Sequence, residues 1–334
     1  MATAALSGRA AACDNRAQGR DGTREGDMEQ AQAATAGARL AARLGRVGLW
    51  TRHLDALPAD RLRATLAELE ALGWRSLWSW EVFGREALTN AGLLLCASRQ
   101  LVVGTGVAVI WARDPVAMAA AQRTLAEAYP GRFVLGMGVS HASLVDARGH
   151  RYEQPLLRMR DYLDAMDAAP WRGPPLPEQP PRVLAALGPR MLALAAERAD
   201  GALTYNATPE ATAWARSILG AGPLLAVEQA VLLERDPVQA RRLARDALAV
   251  YLTMPNYVRA WERAGFGPQD RADGGSDRLV DAMVAWGGEE AIAPRVQAQL
   301  AAGADHVCAH VLDAGPNAPP MAGWRALAPA LLGR

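Results

Sequence analysis

One stretch constrains the fold of this chain more than any other: Leu101–His141, LVVGTGVAVIWARDPVAMAAAQRTLAEAYPGRFVLGMGVSH. It opens on a buried-strand pattern, Leu101-Val102-Val103, breaks at Gly104-Thr105-Gly106, and continues as a second apolar run from Val107 to Trp111. Asp114-Pro115 then predicts a helix start. An aspartate side chain accepts from first-turn N–H groups, and proline has no N–H to leave unpaired there. Pro130-Gly131 stop the helix after Tyr129. A further apolar strand, Phe133–Met137, runs into Gly138-Val139-Ser140-His141. Strand, helix and strand over this length suffice for a parallel crossover. Both strands end in glycines flanked by polar groups, where backbone can approach a ligand closely.

The same alternation recurs from Gly45 onward. The predicted strands are Arg46–Trp50, Arg75–Trp80, the two in that stretch, Val183–Leu187, Ala202–Thr204, Leu224–Leu232 and His306–Leu312. Helical patterns separate them, several opening at a capping residue followed by proline, as at Thr208-Pro209 and Asp236-Pro237. Eight strand–helix units predict a closed (β/α)8 TIM barrel, with an open doubly wound sheet as the alternative. The interval between strands seven and eight is far longer than the others, so Tyr251–Gly288 reads as a helical insertion near the barrel mouth. Residues 44–334 read as one domain. Residues 1–43 hold almost no large apolar side chain before Leu40 and read as a mobile extension. A short helix is available over Met28–Leu44, and Met28 is a second candidate for the initiating residue.

The 334 residues are 51% hydrophobic and 21% charged, an ordinary globular balance. A net charge of +1 gives no electrostatic case for nucleic acid. Cys13, Cys96 and Cys308 lie far apart, which argues against a disulfide framework and fits a reducing cytoplasm. No apolar run reaches the roughly 18 residues of a membrane span, and the N-terminus lacks a secretory apolar core. Leu93-Leu94-Leu95 and Val116-Ala117-Met118 offer apolar surface either for a homodimer or for covering the barrel.

In a parallel barrel the chemistry sits where strands end and loops begin, on the C-terminal face. That rule selects Trp50–His53, Trp80-Glu81, Gly104–Trp111, Gly138–His141, Ala186–Arg190, Thr204–Asn206 and His310. Trp50, Trp80 and Trp111 supply flat walls for a substrate pocket, with polar groups such as His53 set among them. The bland alternatives are core packing for each tryptophan and a solvated side chain for His53. His306, Cys308 and His310 share one strand face. One strand rarely supplies a metal site alone, so no metal is expected. No nucleophile constellation is present either, which leaves the hard chemistry to a cofactor.

At this point a family likeness enters. LVVGTGVAVIWARDP, GRFVLGMGVSH, LAALGPRMLALAAERADGALTYNATPE and AGADHVCAHVL, in that order and spacing over about Gly45–Leu312, resemble the luciferase-like monooxygenase superfamily. Within it they are most similar to the branch using the deazaflavin coenzyme F420. The resemblance implies a (β/α)8 barrel that moves a hydride between F420, or alternatively FMN, and a small organic substrate. It implies that Gly104, Thr105, Gly106 and Val107 form a bulge behind the coenzyme ring, with the Gly106–Val107 peptide cis. Gly138, Val139 and Ser140 would touch the ring and its side chain. Ala186, Leu187, Gly188, Pro189 and Arg190 would lie near the coenzyme phosphate, which a helix N-terminus with free N–H groups also favours.

His141 stands where related dehydrogenases carry a glutamate acid. Glu81 stands where the family has an acidic residue near the ring. These two are the catalytic candidates. The histidine base that dehydrogenases carry beside that acid is Val82 in this chain. An FMN-dependent monooxygenase supplied by a reductase, and a coenzyme-binding barrel without turnover, are the competing expectations.

Overall fold

The computed structural model describes residues 35–312 and 318–333. Its strands are β1 (Val47–Thr51), β2 (Ser76–Ser79), β3 (Val102–Thr105), β4 (Ala108–Val109), β5 (Phe133–Gly138), β6 (Arg182–Ala185), β7 (Gly201–Thr204), β8 (Leu224–Leu232), β9 (Val284–Trp286) and β10 (His306–Val311). Every pairing among them is parallel. β10 pairs with β1, setting His310 opposite Trp50, and with β8, setting His306 opposite Ala226. The sheet therefore closes into a barrel of β1, β2, β3, β5, β6, β7, β8 and β10, the architecture expected from the eight units. Helices cover its outside, and three of them start as the sequence indicates. Asp114, Thr208 and Asp236 each accept from a first-turn N–H, at Ala117, Ala211 and Gln239, with proline in the first turn.

Alternation along the strands separates two apolar layers. Leu49, Leu77, Val103 and Val307 face the helices and join the large outer core. Trp50, Trp78, Val102, Val134, Val183, Leu203, Leu224 and Cys308 fill the barrel itself, together with Leu40 and Leu44. Those two leucines belong to a helix, Ala36–Leu44, that closes one end of the barrel and is capped by Thr35, whose hydroxyl donates to Gly222 O at 2.9 Å. The expectation of a mobile extension up to residue 43 is corrected here. Leucines four apart share a helix face, and this face has a barrel to cover. The rest of that expectation, and the start at Met28, lie outside the described residues.

Between β3 and β5 the chain departs from a regular strand. The Gly106–Val107 peptide is cis, as the family likeness implied. Pairing resumes only over Ala108–Val109, so most of the expected second run, Val107–Trp111, is turn rather than strand. The insertion is mainly helical, with helices Pro255–Arg263, Pro268–Arg271 and Asp277–Met283. It ends, however, in β9, three residues that pair with β8 and are too short to show a strand period. Of the apolar triplets, Leu94, Leu95 and Met118 are buried in the core, whereas Leu93 and Val116 are exposed. Among the described residues no helix is long and apolar enough to cross a membrane.

Candidate active site

A cleft of about 920 Å³ opens where the strands end. It is within the usual size of small-molecule sites. Its floor is built by exclusion of side chains. A Cβ on Gly106 would lie 2.4 Å from the Trp50 ring, and one on Gly138 would lie 2.7 Å from Val107 Cγ2. The cis peptide and Gly138 thus present a strip of backbone, with the Trp50 ring against Gly106 and the Val107 side chain against Gly138. Ser140, in the left-handed region at φ 59°, turns the following loop so that Ser140 and His141 also line the cleft.

Glu81 holds this strip in place. Its carboxylate accepts from Val109 N at 2.7 Å and Ala87 N at 3.3 Å, and it pairs with the Arg113 guanidinium. Arg113 in turn reaches Glu86 at 2.7 Å and Val109 O at 3.3 Å. The carboxylate lines the cleft, yet its oxygens are committed to positioning the segment after the cis peptide.

His141 after β5 and His310 on β10, on opposite sides of the cleft, each have one ring nitrogen committed and one without a hydrogen-bond partner among the described residues. The His141 Nδ1 accepts from the Asn256 amide at 3.1 Å, and the ring packs near Tyr257 with centroids 5.4 Å apart. Burial lowers the His141 pKa, so the neutral ring is favoured. The His310 Nδ1 lies 3.0 Å from Glu228 Oε1 and 3.2 Å from the Tyr205 hydroxyl, to which Tyr251 donates at 3.0 Å. Glu228 is fully buried, and its second oxygen accepts from Asn206 N at 3.2 Å. Burial, with the neighbouring Glu228 charge, raises the pKa of Tyr205 well above that of a free phenol, and burial takes Tyr251 to about 12. Both phenols stay protonated at neutral pH.

His53 is buried, which corrects the solvated reading. Its Nδ1 sits 3.3 Å from Thr51 Oγ1, and its Nε2 has no partner. Burial, followed by the Arg52 and His310 fields, pushes its pKa down to about 4. Arg52 lies with its guanidinium 5.7 Å from the Trp80 ring centroid. At the other end of the cleft, Gly188 opens helix Pro189–Arg198 without a side-chain cap, and a Cβ there would meet nothing within 4 Å. The Arg190 and Met191 N–H groups have no intrahelical acceptor in this first turn. Arg190, Arg259 and Arg263 line the same cleft, and Arg263 donates to Leu187 O. Exposed backbone and anion-seeking amides in one cleft fit a flat coenzyme with a phosphorylated tail.

The structure brings most of the expected residues to this cleft: Trp50, His53, Trp80, Glu81, Gly106, Val107, Gly138, Val139, Ser140, His141 and Ala186 to Arg190. Gly104, Thr105 and Trp111 do not line it. Gly104 packs on Trp78, and Thr105 Oγ1 bridges to Gly136 between the strands. Trp111 lies beside the loop, donating to Val139 O at 2.9 Å. Sequence reasoning missed Glu228, Tyr251 and Asn256 as site residues. Glu228 carried a signal, since it is a lone carboxylate inside the apolar run LLAVEQAVL.

Residues 22–306 match the family model described as luciferase-like monooxygenase. The chain belongs to that family of enzymes. It is 30% identical over 195 residues to a Mycobacterium tuberculosis protein named "Putative coenzyme F420-dependent oxidoreductase", a match covering 49% of this chain and 56% of the relative. The match thus spans little more than half of that relative's length. Among solved structures, an F420-dependent secondary alcohol dehydrogenase in complex with an F420-acetone adduct superposes with a TM-score of 0.66. The identity is 15%, covering 86% of this chain and 98% of the other. The FMN complex of the oxygenating constituent of 3,6-diketocamphane monooxygenase from Pseudomonas putida gives 0.63 at 15% identity, covering 85% and 95%. At such identities the likeness shows the fold alone.

Proposed function

We propose that the chain is a coenzyme F420-dependent oxidoreductase acting on a small organic substrate. The observation that carries this reading is the strip of backbone at Gly106–Val107 and Gly138, in one cleft with the uncapped helix at Gly188. Both serve a flat ring with a phosphorylated tail. The deazaflavin supplies hydride acceptance or donation when bound. Gly106, Val107 and Gly138 support one face of the ring, and the Arg190 and Met191 amides hold the phosphate. Trp50 backs the strip from behind, and Trp80 excludes water from the reacting side. Glu81 acts as a positioning residue through Val109 N. His141 exchanges a proton on the coenzyme side: with Asn256 donating to Nδ1, its ring proton sits on Nε2.

FMN binding as a reduced-flavin monooxygenase is the second reading, supported by the comparable likeness to an FMN-bound fold. A Gly188→Glu variant tests the placement. The new side chain projects into open space, so the fold tolerates it, while its charge opposes the phosphate. Coenzyme affinity is expected to fall at least about tenfold, since 1.4 kcal/mol of lost interaction corresponds to that factor. Unchanged affinity would contradict the phosphate site.

A further inference from the structure

The side of the cleft across from His141 holds a group of polar residues that the reading above leaves without a role. Glu228 on β8, His310 on β10, Tyr205 after β7 and Tyr251 in the insertion are joined by hydrogen bonds of 3.0 to 3.2 Å. A carboxylate has no proton to give, and two acceptor lone pairs 3.0 Å apart repel. The proton between Glu228 Oε1 and His310 must therefore sit on Nδ1. Tyr205 cannot reverse this by donating to Nδ1, because that would leave the nitrogen lone pair facing the carboxylate. The His310 Nε2 is then an unprotonated acceptor. It has no hydrogen-bond partner among the described residues, and His310 lines the cleft. A buried carboxylate behind an imidazole stabilises the imidazolium that forms when Nε2 takes a proton.

The same bonding logic gives His141 the opposite tautomer, with Nε2 as a donor. One cleft therefore holds an imidazole donor and an imidazole acceptor, set by Asn256 and Glu228 respectively. Resting on the deazaflavin reading, we propose that His310, oriented by Glu228, is the catalytic base for a substrate whose reacting carbon carries a hydroxyl. The carbinol C–H leaves as hydride to the oxidised deazaflavin while the O–H proton passes to His310 Nε2, and the C–O bond becomes a carbonyl. In the reverse direction the imidazolium returns the proton. Near His310 lie His53 after β1, with Arg52 beside it, and Tyr205 and Tyr251, while Cys308 and Tyr257, both kept protonated by burial, lie within the field of Glu228. Tyr205 and Tyr251 remain neutral and His53 is uncharged at neutral pH, so Glu228, 3.0 Å from Nδ1, is the group that orients His310.

The tautomer is tested on the coenzyme-free full chain by 15N–1H NMR of the histidine rings. A protonated Nδ1 and free Nε2 on His310 are expected, with this preference lost in Glu228→Gln. A protonated Nε2 on neutral His310 would overturn the proposal whether or not deazaflavin binds. The catalytic role is tested with deazaflavin-loaded enzyme and a series of short secondary alcohols. His310→Gln should lose about 10² to 10⁴ in kcat with KM within a few-fold. Glu228→Gln should move the acid limb of the kcat profile to lower pH, because the carboxylate no longer favours the imidazolium. Turnover by His310→Gln within twofold of wild type, or an acid limb that does not move in Glu228→Gln, would overturn the assignment. So would a wild type that binds deazaflavin and leaves every alcohol untouched. Failure to bind deazaflavin at all would instead remove the function proposed above, and the NMR result would still decide the tautomer.

Discussion

His306 and His310 sit on the same strand and the same face, four residues apart, and have different fates. At the closed end, His306 Nδ1 bonds Gly45 O at 2.6 Å and its Nε2 accepts from Trp78 Nε1 at 3.1 Å. Both nitrogens are used, and burial pushes its pKa down to about 4. At the open end, His310 lines the cleft with one nitrogen held by Glu228 and Tyr205 and the other without a partner among the described residues. The difference is not residue type, parity or burial, since both side chains are largely enclosed. It is whether the protein itself satisfies the second nitrogen. A satisfied polar group serves packing; one left without a protein partner is available to a ligand.

This contrast predicts separable losses: changes at the mouth should cost turnover, and changes at the closed end should cost stability. The largest effect is expected from His141→Ala, which should cut turnover by about 10² to 10⁴ while coenzyme still binds. Steady-state kinetics beside a binding titration checks this, and turnover within twofold of wild type would remove His141 from the mechanism. At the closed end, Leu44→Ala should destabilise the fold by about 2–5 kcal/mol, because Leu44 is fully buried in the barrel end. Urea unfolding measures this, and a change under about 0.5 kcal/mol, as for an exposed site, would show that the helix does not plug the barrel. His306→Leu should cost about 1–3 kcal/mol for each of the two groups it strands, the Trp78 N–H and the Gly45 carbonyl. It should leave the coenzyme dissociation constant unchanged; a weakened one would blur the division between the two ends.

The smallest effect is a pH dependence of stability. Unfolded imidazoles take up a proton near pH 6.5, whereas folded His53 and His306 do so only near 4. Between these values the unfolded chain binds more protons, so stability is full above about 6.5 and declines as pH falls toward 4. Asp55, raised to about 6 by burial, works the other way between about 6 and 3.8 and offsets part of the loss. Urea midpoints at pH 7 and pH 5 should show a modest decrease, smaller still in His306→Leu. An increase on acidification would contradict the two buried neutral histidines.

The barrel was legible in the chain because its signals are local. Proline after a capping residue, glycine after a helix and apolar strands of regular spacing each act within a few residues. The glycines that line the cleft, Gly106 and Gly138, were legible for a related reason, since a glycine inside an apolar strand marks close approach. Glu228 and Tyr251 were not found because their meaning is relational: 82 residues separate Glu228 from His310, and only barrel closure brings them together. Gly104 and Thr105 lie within β3, below the cleft, where Gly104 packs on Trp78 and Thr105 bridges to Gly136. The pattern locates the bulge but does not say which of its residues face the cleft. A helix reaching Leu44 was legible, but its docking was not, because two leucines among small and charged residues suggest solvent until a barrel end is there to receive them.

The central claim is that this cleft is built for a deazaflavin. Parallel equilibrium titrations of the purified full chain with oxidised F420 and with FMN, followed by coenzyme fluorescence, test it most directly. Saturable, one-to-one binding of the deazaflavin in the micromolar range or tighter is expected, with FMN at least about tenfold weaker. Tight FMN binding with no response to the deazaflavin would contradict it and put the reduced-flavin monooxygenase in its place.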